Sequence, residues 1–177
     1  GFAAEGAKVT ISVTKADEAA AAQAMVAAKT QLGTSLAQLK LTQAADAFVV
    51  SAEGAGFAES VKAVLAVKEG VDKNLVQVFR VNADGTLTPA RTKPTDVGVV
   101  FNIVEPGTYV AIEVDKQFLD TANHWSNTEL KFAAAHLLVE GYPDGNFRPE
   151  GTVTRAEFVA MLVRAMGLEV KDGPTHF

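Results

Sequence analysis

The sequence predicts an α+β protein. An N-terminal β-rich domain, an antiparallel sheet or sandwich with one Ala-rich helix, is followed by a helix–loop–helix segment. Three observations carry this. From Ser60 the apolar residues alternate with a period of two: Val61, Ala63, Leu65 and Val67 face away from Lys62 and Lys68. Between Asp17 and Leu32 the chain is dominated by alanine, the residue with the highest intrinsic helix propensity. After Phe118 the period becomes helical, with apolar stripes at Leu130, Ala133, Ala134 and Leu137, and at Phe158, Met161, Leu162 and Ala165.

The elements follow in order. Val9 to Val13 reads as a strand, and Thr14-Lys15-Ala16-Asp17 as a possible helix cap. The Ala-rich helix from Asp17 to Leu32 stops at Gly33. Leu36 to Leu41 fits neither period. Phe48 to Val50 is a short strand, and Gly54 to Gly56 a loop. The alternating strand from Ser60 comes next, then a strand from Leu75 to Val81. Asn82-Ala83-Asp84-Gly85 is a hairpin turn into Thr86 to Thr88. Val97 to Val104 and Tyr109 to Val114 are two more strands, joined by Glu105-Pro106-Gly107. Short turns between strands suggest an antiparallel sheet with one face buried. The boundary falls near Asp115 to Phe118, which gives a first domain over 1–115 and a second unit over 116–172.

In the second unit, Ser126-Asn127-Thr128-Glu129 and Thr154-Arg155-Ala156-Glu157 each have the spacing of a capping box. Between the two helices lies Gly141-Tyr142-Pro143-Asp144-Gly145-Asn146-Phe147, a tight turn with an aromatic to pin it to a core. Gly167 is the natural stop of the second helix.

Composition narrows the function. The 177 residues are 48% hydrophobic with a net charge of −5. Residues 1–114 hold 10 basic and 12 acidic side chains, and residues 115–177 hold 6 and 9, so neither part has the basic excess of a nucleic-acid binder. No apolar run reaches a membrane span of roughly 20 residues. There are no cysteines, hence no disulfide and no thiolate site. His124, His136 and His176 lack metal-ligand spacing. A calcium loop registered on Gly151 would put Arg148 at a ligand position and take Glu157 from its cap. There is no Gly-rich phosphate loop and no serine elbow, so no metal or cofactor is expected. Gly1 is not a natural start, and a longer precursor is expected.

Phe118-Leu119-Asp120, His124-Trp125, Gly141 to Phe147, Pro149 and Thr154 to Phe158 stand in the order and spacing of an S-layer homology domain, which this part of the chain closely resembles. The hairpin around Asp84-Gly85-Thr86-Leu87 and the strand Tyr109 to Glu113 resemble β-rich modules that often precede such domains. The resemblance implies non-covalent anchoring of a bacterial surface or S-layer protein, without catalysis, outside the cell and at its wall. The partner would be an acidic, pyruvylated secondary cell-wall polysaccharide, with no nucleic acid and no membrane span. The alternatives are the anchoring tail of a surface polysaccharide hydrolase, or a lattice module.

The expected contacts follow from both lines of reasoning. Arg155 combines a guanidinium with the free N–H groups of a helix start, an arrangement suited to an anion; otherwise it pairs with Asp120 or Asp144. Trp125 is expected as a core aromatic beneath the first helix, with a sugar-stacking platform as the alternative. Asp120 and Asp144 read as turn and cap residues rather than catalytic acids, and the Gly141 to Gly145 turn as a groove wall. Thr154, Glu157, Ser126 and Glu129 are expected as caps. His136 stands where the family pattern has Gly, so the first helix is expected to end differently. Residues 173–177, ending in Phe177, are expected to open a second repeat. Further units would complete the first in cis, or copies of the chain would do so in trans.

Overall fold

The computed structural model describes residues 10–53 and 60–168. Within them the fold is β-rich α+β. The strands are β1 (Thr10–Lys15), β2 (Gln38–Gln43), β3 (Phe48–Glu53), β4 (Val61–Leu65), β5 (Val76–Val81), β6 (Leu87–Pro89), β7 (Lys93–Thr95), β8 (Gly98–Ile103) and β9 (Gly107–Gln117). The helices are α1 (Glu18–Leu32), α2 (Asn127–Ala135) and α3 (Arg155–Met166), and a 3-10 turn at Lys73–Leu75 leads into β5. The loop expected at Gly54 to Gly56 and the repeat start expected at 173–177 lie outside the described residues.

Two antiparallel sheets form. The larger runs β1-β3-β9-β5-β6, and the smaller β4-β8-β7. β9 is the spine of the larger sheet. On one side β3 pairs with its residues 107–109 and β2 with its residues 112–117, while β5 runs along its other side. β8 and β9 are consecutive in sequence but belong to different sheets.

The centre of the larger sheet, β5 and β9, is buried on both faces, not on one as the alternation suggested, while the edge strand β1 is exposed throughout. Val110, Ile112 and Val114 of β9 join Phe79 and Leu87 against Ala21, Ala24 and Ala28 of α1. Tyr109 and Ala111 join Val50, Val76 and Val78 against Val99, Phe101 and Ile103 of the smaller sheet. The unbroken apolar run Tyr109 to Ile112 is the signature of a strand covered on both sides. The buried side chains of α1 are all alanines, whose small volume lets the helix lie close to the sheet.

Local chemistry sets the ends. Asp17, not Thr14, caps α1, its carboxylate accepting from the Ala20 N–H at 2.6 Å; Thr14 is paired in β1 with Val49. The ambiguous Leu36 to Leu41 stretch supplies β2, with Leu39 and Leu41 packed on the α1 core. The β5–β6 hairpin closes through the Asn82 N–H to the Thr86 carbonyl at 2.8 Å, with Gly85 at φ +82°.

Past β9, Phe118 is buried with Leu130 and Ala134 of α2, and with Phe147 at a ring separation of 5.3 Å. Lys131 pairs with Asp115 at 2.6 Å. α3 buries no side chain among the described residues. Arg91 holds its C-terminal end by donating to the carbonyls of Met166 and Gly167.

Candidate functional site

The loop between α2 and α3 is built by a short list of polar contacts. The Asp120 carboxylate accepts from the Phe147 N–H at 2.8 Å and the Arg148 N–H at 2.7 Å. Asp144 accepts from the Asn146 N–H at 3.0 Å and pairs with the Arg148 guanidinium at 2.8 Å. The Asn146 N–H, then Arg148, holds the Asp144 carboxyl below its ordinary value. The guanidinium also lies over the Tyr142 ring, 4.2 Å from its centroid.

Two glycines are required by geometry. Gly141, at φ +78°, presses on the Phe118 ring, where a Cβ would collide with it. Gly145, at φ +86°, leaves no room for a Cβ beside the backbone of Leu36 and Ala37, with approaches of 2.8 Å. The loop is further pinned by the Leu119 N–H to the Gly145 carbonyl at 3.0 Å and the Leu36 N–H to the Pro143 carbonyl at 3.2 Å.

The start of α3 is wired to this loop. Thr154 Oγ1 accepts from the Glu157 N–H at 3.2 Å, and the Glu157 carboxylate accepts from the Thr154 N–H at 2.8 Å. The Tyr142 hydroxyl donates to the same carboxylate at 2.8 Å. The first position of α3 is Arg155, which is exposed. Among the described residues it makes no ion pair or side-chain hydrogen bond; Asp120 and Asp144, the acids expected to pair with it, bind the loop backbone and Arg148 instead.

Trp125 is a correction. Its side chain is 83% exposed, not in the core beneath α2. The neighbouring His124 takes the inward place. Its Nδ1 lies 2.8 Å from Ser126 Oγ and its Nε2 2.8 Å from Glu150, leaving the indole outside at 5.4 Å from the imidazole. That also explains a second correction. Ser126 makes no side-chain cap for α2, since its hydroxyl is turned to His124, and the box expected with Glu129 does not form.

His136 does end α2 in another way. It stays right-handed at φ −90°, and Leu137 takes the left-handed turn at φ +59°. The Leu138 N–H then reaches the Ala133 carbonyl at 2.8 Å and the Leu137 N–H the Ala134 carbonyl at 3.0 Å, a Schellman closure. α3 closes by the same bonds with Gly167 in the left-handed place. The half-buried His136 ring reaches the Asn74 carbonyl at 3.0 Å and Gln77 Oε1 at 3.2 Å. It therefore ties α2 to the start of β5.

The structure thus gathers Asp120, Gly141, Asp144 and Gly145 into one loop. It joins Arg155 to that loop through Tyr142 and Glu157, and Trp125 through His124 and Glu150. No hydrogen bond, ion pair or ring contact joins Arg155 to Trp125 among the described residues. The roles of Tyr142, Arg148 and the His124–Glu150 pair were not anticipated. Tyr142 and His124 find their partners 15 and 26 residues away, too far for spacing to reveal, whereas Arg148 pairs with Asp144 at a local i,i+4 spacing that could have found it.

The S-layer homology domain family matches residues 117–159. The chain is 39% identical over 74 residues to an amylopullulanase of Thermoanaerobacterium thermosulfurigenes, which covers 42% of this chain and 4% of that protein. It is 30% identical over 131 residues to a cellulosome-anchoring protein of Acetivibrio thermocellus, covering 65% of this chain and 28% of that one. It is 42% identical over 45 residues to a surface layer protein of Brevibacillus choshinensis, covering 25% and 4%. The chain therefore spans less than a third of the length of each of these relatives. No solved structure matches it significantly. Over residues 117–159, then, this chain is similar to the S-layer homology domain family, and the relatives it resembles include a cellulosome-anchoring protein and a surface layer protein.

Proposed function

We propose that the chain anchors a bacterial surface protein non-covalently to the cell wall by binding an acidic secondary cell-wall polysaccharide, pyruvylated in the form the family resemblance implies. The observation that carries this is Arg155: an exposed guanidinium at a helix start, with Asp120 and Asp144 engaged by the loop backbone and Arg148. The Arg155 and Ala156 N–H groups precede the first intrahelical bond and add donors at the same end. The Glu157 carboxylate offsets part of this positive end, so the guanidinium supplies most of the attraction. The exposed indole of Trp125 offers an apolar face to a sugar ring. The Gly141 to Gly145 turn, held rigid by Asp120 and Asp144, would form the wall beside them. The unit over 116–172 would be the anchor and 1–115 the module joining it to the rest of a surface protein.

Recognition here needs no turnover. The similarity to an amylopullulanase involves 4% of that enzyme and does not carry its activity to this chain; it favours, as a second reading, an anchor attached to a surface hydrolase.

The test is co-sedimentation with purified cell-wall sacculi, before and after acid extraction of the secondary polymer. Arg155→Ala should remain folded and lose about 1.5–3 kcal/mol of binding, one charge-assisted contact. Extraction should abolish binding of the parent chain. Undiminished binding by the folded variant would refute the assignment of Arg155.

A further inference from the structure

Along β9 the residues facing α1 are Val110, Ile112 and Val114, all buried in the core. The next position on that face is Lys116. An ammonium stands where the pattern calls for an apolar side chain, and Lys116 is only 6% exposed. Its Nζ donates to the Glu140 carbonyl at 2.8 Å and lies 5.4 Å from the Phe118 ring centroid. An ammonium carries three donors, and a buried charge is costly without a counter-charge. Among the described residues no carboxylate pairs with it. Asp115 is taken by Lys131, and the Glu140 carboxylate by Arg164 at 3.1 Å.

Lys116 lines a cavity of about 180 Å³ enclosed by α1, β9, the end of α2 and α3. Gln31, Thr34, Leu137, Glu140 and Arg164 also contribute to its wall. The space is several times the roughly 30 Å³ share of one water. The charged groups lining it are Lys116, Arg164 and Glu140, two cations and one anion, a net of one positive charge.

We infer that this cavity is a binding site for a small monoanionic carboxylate, with the Lys116 ammonium as its counter-ion and the Arg164 side chain at its rim. A monoanion balances the lining, whereas a dianion such as phosphate leaves one negative charge in excess. The Lys116 ammonium is lowered from its ordinary value, first by burial and against the opposing pull of Glu140, as expected of a cation awaiting a partner. The site is separate from Arg155 and Trp125, and the inference does not depend on polysaccharide binding.

The experiment titrates the whole chain with sodium acetate, and separately with phosphate, at constant ionic strength and at about pH 8, where phosphate is mainly the dianion. It follows the Lys116 Cε carbon signal and the melting temperature. Acetate should give a saturable shift and a matching thermal rise, phosphate a weaker one, and Lys116→Met should lose the thermal rise. Should that variant fail to fold, Glu140→Gln keeps the carbonyl that Lys116 uses and removes the competing negative charge; it should bind acetate about tenfold tighter. A non-saturable response, which means water alone fills the cavity, overturns the inference. So does an equal thermal rise in Lys116→Met, phosphate binding as tight as acetate, or unchanged affinity in Glu140→Gln.

Discussion

Three donors converge on the Glu157 carboxylate: the Thr154 N–H, the Thr154 hydroxyl and the Tyr142 phenol. The two Thr154 groups, then Tyr142, hold this carboxyl below its ordinary value of 4.5. Such a group contributes stability that is complete above the ordinary value and is lost as pH falls through the folded one. Thr154→Ala and Glu157→Ala should each cost about 0.5–2 kcal/mol in thermal or urea unfolding, with binding weakened only in proportion. Loss of binding with an unchanged melting temperature would instead make them ligand contacts. His136 gives a second pH dependence, with burial lowering its pKa from 6.5 against the pull of the Asn74 carbonyl. The fold favours the neutral ring, so the chain should lose stability as pH falls below the ordinary value, and His136→Gln should flatten that part of the curve of melting temperature against pH. Which of these roles the sequence could reveal depends on distance along the chain. The Thr154–Glu157 spacing is local and visible. Asp120 serves N–H groups at Phe147 and Arg148, and Tyr142 reaches Glu157, partnerships that no local pattern encodes. Trp125 and His124 are adjacent aromatic rings, and composition does not tell which one turns inward.

Helix α1 was legible through propensity rather than pattern, because its buried face is made of the same alanines as much of its exposed face. That face depends on smallness. Ala28→Leu, at a position with no exposure, should destabilise the protein by about 1–3 kcal/mol in denaturant unfolding, through overpacking against the sheet. An unchanged midpoint would mean that α1 sits farther from the sheet than its burial implies. β2 was hidden because Leu36, Leu39 and Leu41 mix two spacings, and only Leu39 and Leu41 fall within the strand. β7 was hidden because it is three residues long with Pro94 at its centre. The end of α2 was half legible: His136 in place of Gly signalled a change, but not that Leu137 would adopt the left-handed turn, a conformation worth roughly 1–2 kcal/mol of strain outside glycine.

The pairing of strands lies beyond local pattern, since β9 meets β2, β3 and β5 from widely separated parts of the chain. Turn residues located the strands without telling that β8 and β9 part into different sheets. At this scale α3 stands out, with Phe158, Val159, Leu162 and Met166 all more than two-fifths exposed. A helix with such a stripe calls for a partner. Further S-layer homology units in cis, or copies of this chain in trans, are the partners we propose. The chain should self-associate in sedimentation velocity as concentration rises, and Leu162→Asp should restore the monomer; a parent chain that stays monomeric at high concentration would refute this. One other feature bears on the anchoring role proposed above. β9 runs without a break from the middle of the sheet to Gln117, and Phe118 begins the buried cluster under α2. A pull on the anchor directed along this strand therefore meets no slack hinge. The load passes into the ladders with β2, β3 and β5 as shear, which strains many backbone bonds together instead of unzipping them singly.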